Sequence, residues 1–267
     1  MPSSKEQHYT ENQLLLEKSS IGVYQLPCGY LNPAGELHTE IEVREISGYE
    51  EDALASEQIQ PWKKLDMLIS GCIKRIGKYT DKGSLSAIPL DLPIGDRVFA
   101  MMAIRRVSVG DPFPFEEECP KGHLDFYTLD LSDLTVKKMP DPYKRIYDDI
   151  LPSGKSVRWH IMTGRDEQRV SQLADKFEND KVSLQIGARL ELLDEKPVEL
   201  NDVKALSMKD RNHLRDVFDE MEGGVETNMP LYCRKCRRDF DRELDISKRG
   251  FFFPSAALKE LKKRYSI

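Results

Sequence analysis

Cysteine is scarce in this chain, and long apolar runs are missing. Five cysteines stand at positions 28, 72, 119, 233 and 236 of 267 residues. An odd count in a chain that opens Met-Pro-Ser-Ser-Lys-Glu-Gln-His, with no apolar leader core, argues against a disulfide framework. No apolar stretch approaches the roughly 20 residues that cross a bilayer. The expectation is therefore a protein of a cytoplasm, or of an assembly built there, with no membrane partner. Positive charge is also in deficit. The 40 Lys and Arg against 46 Asp and Glu leave a net charge of −6, which makes nucleic acid an unfavourable default partner.

Catalytic signatures are missing too. There is no Gly-x-x-x-x-Gly-Lys-Ser/Thr loop to cradle phosphates, no Gly-x-Gly-x-x-Gly and no Gly-x-Ser-x-Gly. The His-Glu-x-x-His pair of zinc hydrolases is absent, as is the deaminase pairing of His-x-Glu with Pro-Cys-x-x-Cys. These absences lead us to expect a protein that is not an enzyme and takes no small-molecule substrate. The acidic run Glu116-Glu117-Glu118 reads as a solvated face.

What is present suits a packed core. Apolar residues make up 39% of the chain, including 10 Phe, 10 Tyr and 2 Trp, more aromatics than a disordered chain carries. Residues 1–20 read as a flexible N-terminal arm, 21–254 as one α+β domain, and 255–267 as a basic C-terminal helix or tail. Within the domain, apolar alternation on both sides of Asn32-Pro33-Ala34-Gly35 predicts an N-terminal β-hairpin. Ser47 caps a short helix over 48–56. A longer helix opens at Pro61, carries Leu65, Leu68, Ile69, Cys72, Ile73 and Ile76 on one face, and stops at Gly77. Another covers about 93–106, with Val98, Met101, Met102 and Arg105 on one face, and ends before Gly110-Asp111-Pro112. Residues 132–155 read as loop, and 157–161 as a strand. Helices follow from Thr163 to about 177, through Val182, Ile186, Leu190 and Leu193, and from Ser207 to Gly223-Gly224.

Two stretches stand out as strand, tight turn, strand. One turn is Cys119-Pro120-Lys121-Gly122-His123 and the other is Cys233-Arg234-Lys235-Cys236. A structural zinc ion takes four Cys or His ligands at tetrahedral positions, and a Cys-x2-Cys turn supplies two of them. Proline after the first ligand and glycine before the last are turn chemistry in the other stretch. A thioredoxin-like redox pair would instead need a strand-to-helix junction. The expected ligands are Cys119, His123, Cys233 and Cys236, with His38, His160 or Cys28 as alternatives for the fourth. The fold class is then α+β: split zinc-ribbon-type β-knuckles with inserted helices. Four protein ligands would leave zinc no open position for catalysis. Cys72 reads as a small core residue on a helix face, and Cys28 as part of a strand bend. Met101 and Met102 read as core filling, His160 as packing, His213 as solvated and His8 as part of the arm.

The order of short motifs adds a resemblance. Gly29-Tyr30-Leu31-Asn32-Pro33-Ala34-Gly35 is followed by Arg44-Glu45-Ile46-Ser47-Gly48, then by Leu92-Pro93-Ile94-Gly95-Asp96-Arg97 before an apolar helix ending in Arg105-Arg106. Next come Cys119-Pro120, Leu129-Asp130-Leu131, Thr163-Gly164-Arg165-Asp166-Glu167, a helix start at Met208–Arg211, the Cys233/Cys236 knuckle and Phe251-Phe252-Phe253-Pro254. Over about residues 21–255 this run resembles the T4-like phage baseplate protein family, the baseplate hub and tail-assembly proteins of contractile-tailed phages. The resemblance implies a structural or chaperone-like assembly role, other tail and baseplate proteins as partners, and a place in the virion or in the host cytoplasm during assembly. It carries over no catalytic residues. Members often have Cys-Pro-x-Cys at the first knuckle, where this chain has Cys119-Pro120-Lys121-Gly122-His123.

Charge supplies a rival reading. From residue 231 onward there are eleven Lys and Arg against five Asp and Glu, net +6, which leaves −12 for the rest. Arg234, Lys235, Arg237 and Arg238 in and beside the second knuckle would suit a zinc-ribbon adaptor that binds nucleic acid.

Overall fold

The computed structural model describes residues 13–15, 22–174, 176–244, 246 and 249–253. The expected arm lies outside the described residues except for β1 (Gln13–Leu15), and so does the expected basic helix after 254. The class is α+β, with antiparallel sheets of two to four strands. Among the described residues, no helix is long and apolar enough to cross a membrane.

The predicted hairpin forms from β2 (Val23–Leu31) and β3 (Leu37–Val43). Asn32 shapes its turn: the Asn32 Oδ1 accepts the N–H groups of Ala34 and Glu36, an Asx-type turn. The β2–β3 register shifts between Gln25 and Tyr30. The bulge turns the Cys28 N–H away to the Asp96 carboxylate, 2.8 Å distant. Helix α1 (Gly48–Ala55) starts at Ser47 as expected, and the Ser47 N–H and Oγ both donate to the Glu50 carboxylate.

Helix α2 (Pro61–Cys72) begins where Pro61 predicts, but it ends four residues early. Ile73–Ile76 is strand β4, paired to β3. Both readings place Ile73 and Ile76 inside. Lys74 pairs with Glu42, and Arg75 with Glu40 and Glu42, holding the segment against β3. Helix α3 (Lys82–Asp91) escaped the sequence reading because Pro89 lies within it. Asp81 caps it by accepting the Ser84 N–H. Helix α4 (Ile94–Val109) runs through the middle of the molecule, with every residue from Phe99 to Arg106 buried. It stops at Gly110, whose φ of +88° favours glycine.

The knuckle hairpins appear as predicted. They are β5 (Pro112–Glu118) with β6 (Leu124–Asp130), and, near the end of the chain, β13 (Asn228–Cys233) with β14 (Arg238–Glu243). Between them the expected loop 132–155 holds two strands, β7 (Thr135–Lys137) and β8 (Ile146–Ile150). Strand β8 is hard to see in the sequence because Ile146 and Ile150 face outward, 51% and 68% exposed, while Tyr147 faces in. Strand β9 (Ser156–His160) is where it was expected, and α5 (Gly164–Ala174) follows it. The helix expected through Leu193 is two elements, α6 (Lys181–Gly187) and β10 (Leu190–Leu193). Leu190 and Leu193 keep their apolar role by pairing opposite Trp159 and Val157 of β9. Strand β11 (Lys196–Pro197), α7 (Leu200–Ala205), α8 (Met208–Met221), β12 (Gly224–Val225) and α9 (Arg249–Phe252) complete the described chain.

Two hydrophobic clusters result. The first joins the β2–β3–β4 sheet to α2, α3, α4, the foot of β5 and the Phe251–Phe252 pair. Cys72, Met101 and Met102 are buried in it, as read from the sequence. Arg105 crosses it and donates to the carbonyls of Phe251, Pro112 and Gly110. The second cluster lies between the β11–β10–β9–β8 sheet and helices α6, α7 and α8. At its centre Trp159 stacks on Tyr147, with ring centroids 4.5 Å apart, and meets Phe218 edge-on. Cys28, from the β2 bulge, is counted in this cluster and is 1% exposed.

Leu92–Arg97 forms the seam between the clusters. The Ile94 N–H bonds the Met162 carbonyl, and the Gly164 N–H bonds that of Leu92. Gly95 lies against Gly223: a Cβ there would sit 1.8 Å from the Gly223 carbonyl oxygen. Asp96 holds the β2 bulge, and Arg97 pairs with Asp66 and Glu167. Arg165 reaches back to Asp91.

Candidate metal centre

Each knuckle is a turn whose backbone amides point at a thiol. In the first, the Gly122 N–H bonds the Cys119 carbonyl and the Cys119 N–H bonds the His123 carbonyl, at 2.9 and 3.0 Å. Gly122 has φ +80°, and the Lys121 N–H lies 3.4 Å from the Cys119 Sγ. In the second, the Arg237 N–H closes onto the Cys233 carbonyl at 2.8 Å, and the Cys236 N–H lies 3.5 Å from the Cys233 Sγ. That amide is the first cause holding the Cys233 thiol below its usual range; burial is the first cause pushing the Cys236 thiol up.

The hairpins meet with their knuckles together. Cys119 Sγ lies 3.9 Å from Cys236 Sγ, and Cys233 Sγ lies 3.8 Å from His123 Nδ1. All four ligand atoms fall within 4.8 Å of one another. A tetrahedral ion with bonds of about 2.3 Å to sulfur and about 2.0 Å to nitrogen would set neighbouring ligands about 3.6–3.8 Å apart. The Cys119–Cys236 and Cys233–His123 contacts lie close to that spacing, so these residues could hold a metal ion. The sulfur atoms are too far apart for a disulfide, and all five cysteines are free thiols. Cys119 and Cys233 are buried, while His123 and Cys236 are half-buried.

Contacts between the hairpins support this placement. Arg234 lies on Asp125, Nε to Oδ2 2.9 Å, and the Lys235 ammonium caps the Leu124 carbonyl at 3.2 Å. Arg242 pairs with Glu117 at 2.8 Å, and Tyr127 meets Phe240 edge-on. The sequence reading missed Glu117 and Asp125 as clamp residues. Their only signal was their place two residues from a ligand, on alternate positions of the strands.

The alternative fourth ligands lie elsewhere. His38 packs between Tyr30 and Tyr79. His160 Nε2 bonds Asp166 at 3.1 Å, which ties β9 to α5 in addition to packing, while its Nδ1 lies 3.3 Å from Glu191 without a hydrogen bond. Cys28 is held at the seam. His213, read as solvated, is a third exposed and pairs with Asp149 at 2.7 Å. Of the four cations proposed for nucleic acid, Arg234 and Lys235 are turned onto the other hairpin. Arg237 occupies a left-handed turn position, φ +55°, and both it and Arg238 are exposed.

No protein-family model, curated protein or solved structure matches this chain.

Proposed function

We propose that this chain is a structural or chaperone-like assembly component of a contractile phage tail baseplate, held together by one structural zinc ion in a split zinc ribbon. One observation carries the metal reading: two knuckles 114 residues apart, counted from Cys119 to Cys233, bring three sulfurs and one imidazole nitrogen within 4.8 Å. Three thiolates and an imidazole suit zinc, and a set of four protein ligands suits a structural rather than catalytic ion. The ion would close a long loop that holds every residue of the second cluster except Cys28. By the chain-entropy relation for cross-links, such a closure is worth about 5 kcal/mol.

The baseplate reading rests on the motif order. Leu92–Arg97, Thr163–Glu167 and the Gly29 bulge, three of the motifs that carry the resemblance, all lie at or beside the seam between the clusters. These residues act as architecture, which fits a family without catalytic residues. The partners in this reading are other tail and baseplate proteins, and the setting is the virion or the host cytoplasm during assembly.

Mass spectrometry of purified tails and of assembly intermediates tests the assignment. The chain in mature tails makes it a permanent subunit. In intermediates alone it is an assembly factor. In neither, the baseplate reading fails while the metal centre is untouched.

A further inference from the structure

The two knuckle hairpins have inner and outer faces of different chemistry. Strand alternation separates them. The inner acids Glu117 and Asp125 are each paired by an arginine of the other hairpin. The outer residues follow from the register: Glu116 stands opposite Phe126, and Glu118 opposite Leu124. Leu124 is 51% exposed and Phe126 40%. Both glutamates are exposed, and among the described residues no cation pairs with either carboxylate. The second hairpin repeats the pattern, with exposed Asp239 and Asp241 opposite Tyr232 and Pro230.

An apolar row thus runs beside an acid row, on strands whose paired side chains stand about 5 Å apart. Leu124 and Phe126, two residues apart on β6, stand exposed on one face of the hairpin and make a continuous apolar edge beside the acids. The acid row decides the occupant. Outward carboxylates repel phosphate, so nucleic acid and anionic lipid are disfavoured. A second copy docked face to face would set Glu116 and Glu118 either against their own likenesses or over Leu124 and Phe126 with no cation to meet them. The chemistry that fits is a cationic amphipathic segment, with apolar side chains over Leu124 and Phe126 and Lys or Arg over Glu116 and Glu118.

We infer that the outer face of β5–β6 is a docking surface for such a segment of a partner protein. This rests on the assembly reading only in taking the occupant to be another protein; the hairpin geometry carries the rest.

The test is a fluorescence-anisotropy titration of the full-length protein with a labelled octapeptide of alternating Lys and Leu or Phe. A Lys-Ser octapeptide of equal charge is the control. Metal content is measured first on every variant, so that loss of the ribbon is distinguished from loss of binding. The alternating peptide should bind about tenfold or more tighter than the control. Glu116→Gln with Glu118→Gln should weaken it about tenfold, and so should Leu124→Ser with Phe126→Ser, at unchanged metal content. If the serine pair fails to fold, the glutamine pair, on the other strand, still decides. Equal binding of both peptides, or binding unchanged in the folded variants, overturns the inference. So does a wild-type dimer in sedimentation that the serine pair abolishes, which would make a second copy the occupant. Carboxyl–amine cross-links from Glu116 or Glu118 to Lys259, Lys262 or Lys263 of the same chain would also overturn it, by assigning the face to the protein's own basic end.

Discussion

Asp96 should make this protein more stable as the pH falls from 6 toward 4, the reverse of what most carboxylates do. Its side chain is wholly buried at the start of α4. Oδ1 accepts the Cys28 N–H at 2.8 Å, but Oδ2 has no hydrogen-bond partner. Burial, only partly offset by the Cys28 N–H and the nearby Arg145, pushes the carboxyl up to about 6 from an ordinary 3.8. The folded chain therefore binds this proton at a higher pH than the unfolded chain does. The stabilisation is fully present below the unfolded value and is lost as the pH rises through the folded one. A shift of about two units corresponds to about 3 kcal/mol. Urea denaturation of wild type and Asp96→Asn at several pH values from 4 to 7, at fixed salt, isolates the effect. Every other titrating group, including any metal ligand, cancels in the difference. Between pH 7 and pH 4 wild type should gain about 2.4 kcal/mol relative to the variant. Parallel curves would refute the reading of Asp96 as a carboxyl whose proton affinity is raised by burial.

Two further outcomes follow from single sites. Gly95→Ala should lower stability by about 3 kcal/mol or more, read as a lower denaturation midpoint, because its Cβ would meet the Gly223 backbone at 1.8 Å. Glu50 behaves opposite to Asp96: bonds from Arg44 first, then from Ser47, hold its carboxyl down to about 2 from 4.5. Its contribution, at most about 3 kcal/mol, is present above pH 4.5 and lost as the pH falls toward 2, and Glu50→Gln should remove it at neutral pH.

The parts of the fold that were legible in the sequence are those with local causes. Asn32 and Gly35 announce a turn, Ser47 and Ser207 announce helix starts, and Pro120 with Gly122 announces the first knuckle. The errors share a cause: an apolar spacing that serves two structures. Ile73 and Ile76 fit the face of α2 and equally the inner face of β4, and pairing with β3, reinforced by the ion pairs of Lys74 and Arg75, decides between them. Leu190 and Leu193 continue the period of α6, yet pairing with β9 claims them. Both decisions depend on strands distant in sequence. The cluster of Cys119, His123, Cys233 and Cys236 was legible because cysteine and histidine at turn spacing are rare and chemically specific. The clamp of Arg234 on Asp125 and Arg242 on Glu117 was not, since charged residues on strands are common and their pairing exists only once the hairpins meet. The seam was half legible. Leu92–Arg97 stood out as a motif, but its partners Gly223, Cys28 and Thr163 come from three distant parts of the chain.

Metal content per chain, measured on protein purified without chelator, is the most direct test of the proposed metal centre. Wild type should carry about one zinc, and His123→Ala less, with the chelated wild type melting at a lower temperature because metal binding is coupled to folding. One zinc in both proteins would keep the ribbon and remove His123 from it. No zinc in either, with a melting temperature that full metal removal leaves unchanged, would contradict the closed metal centre.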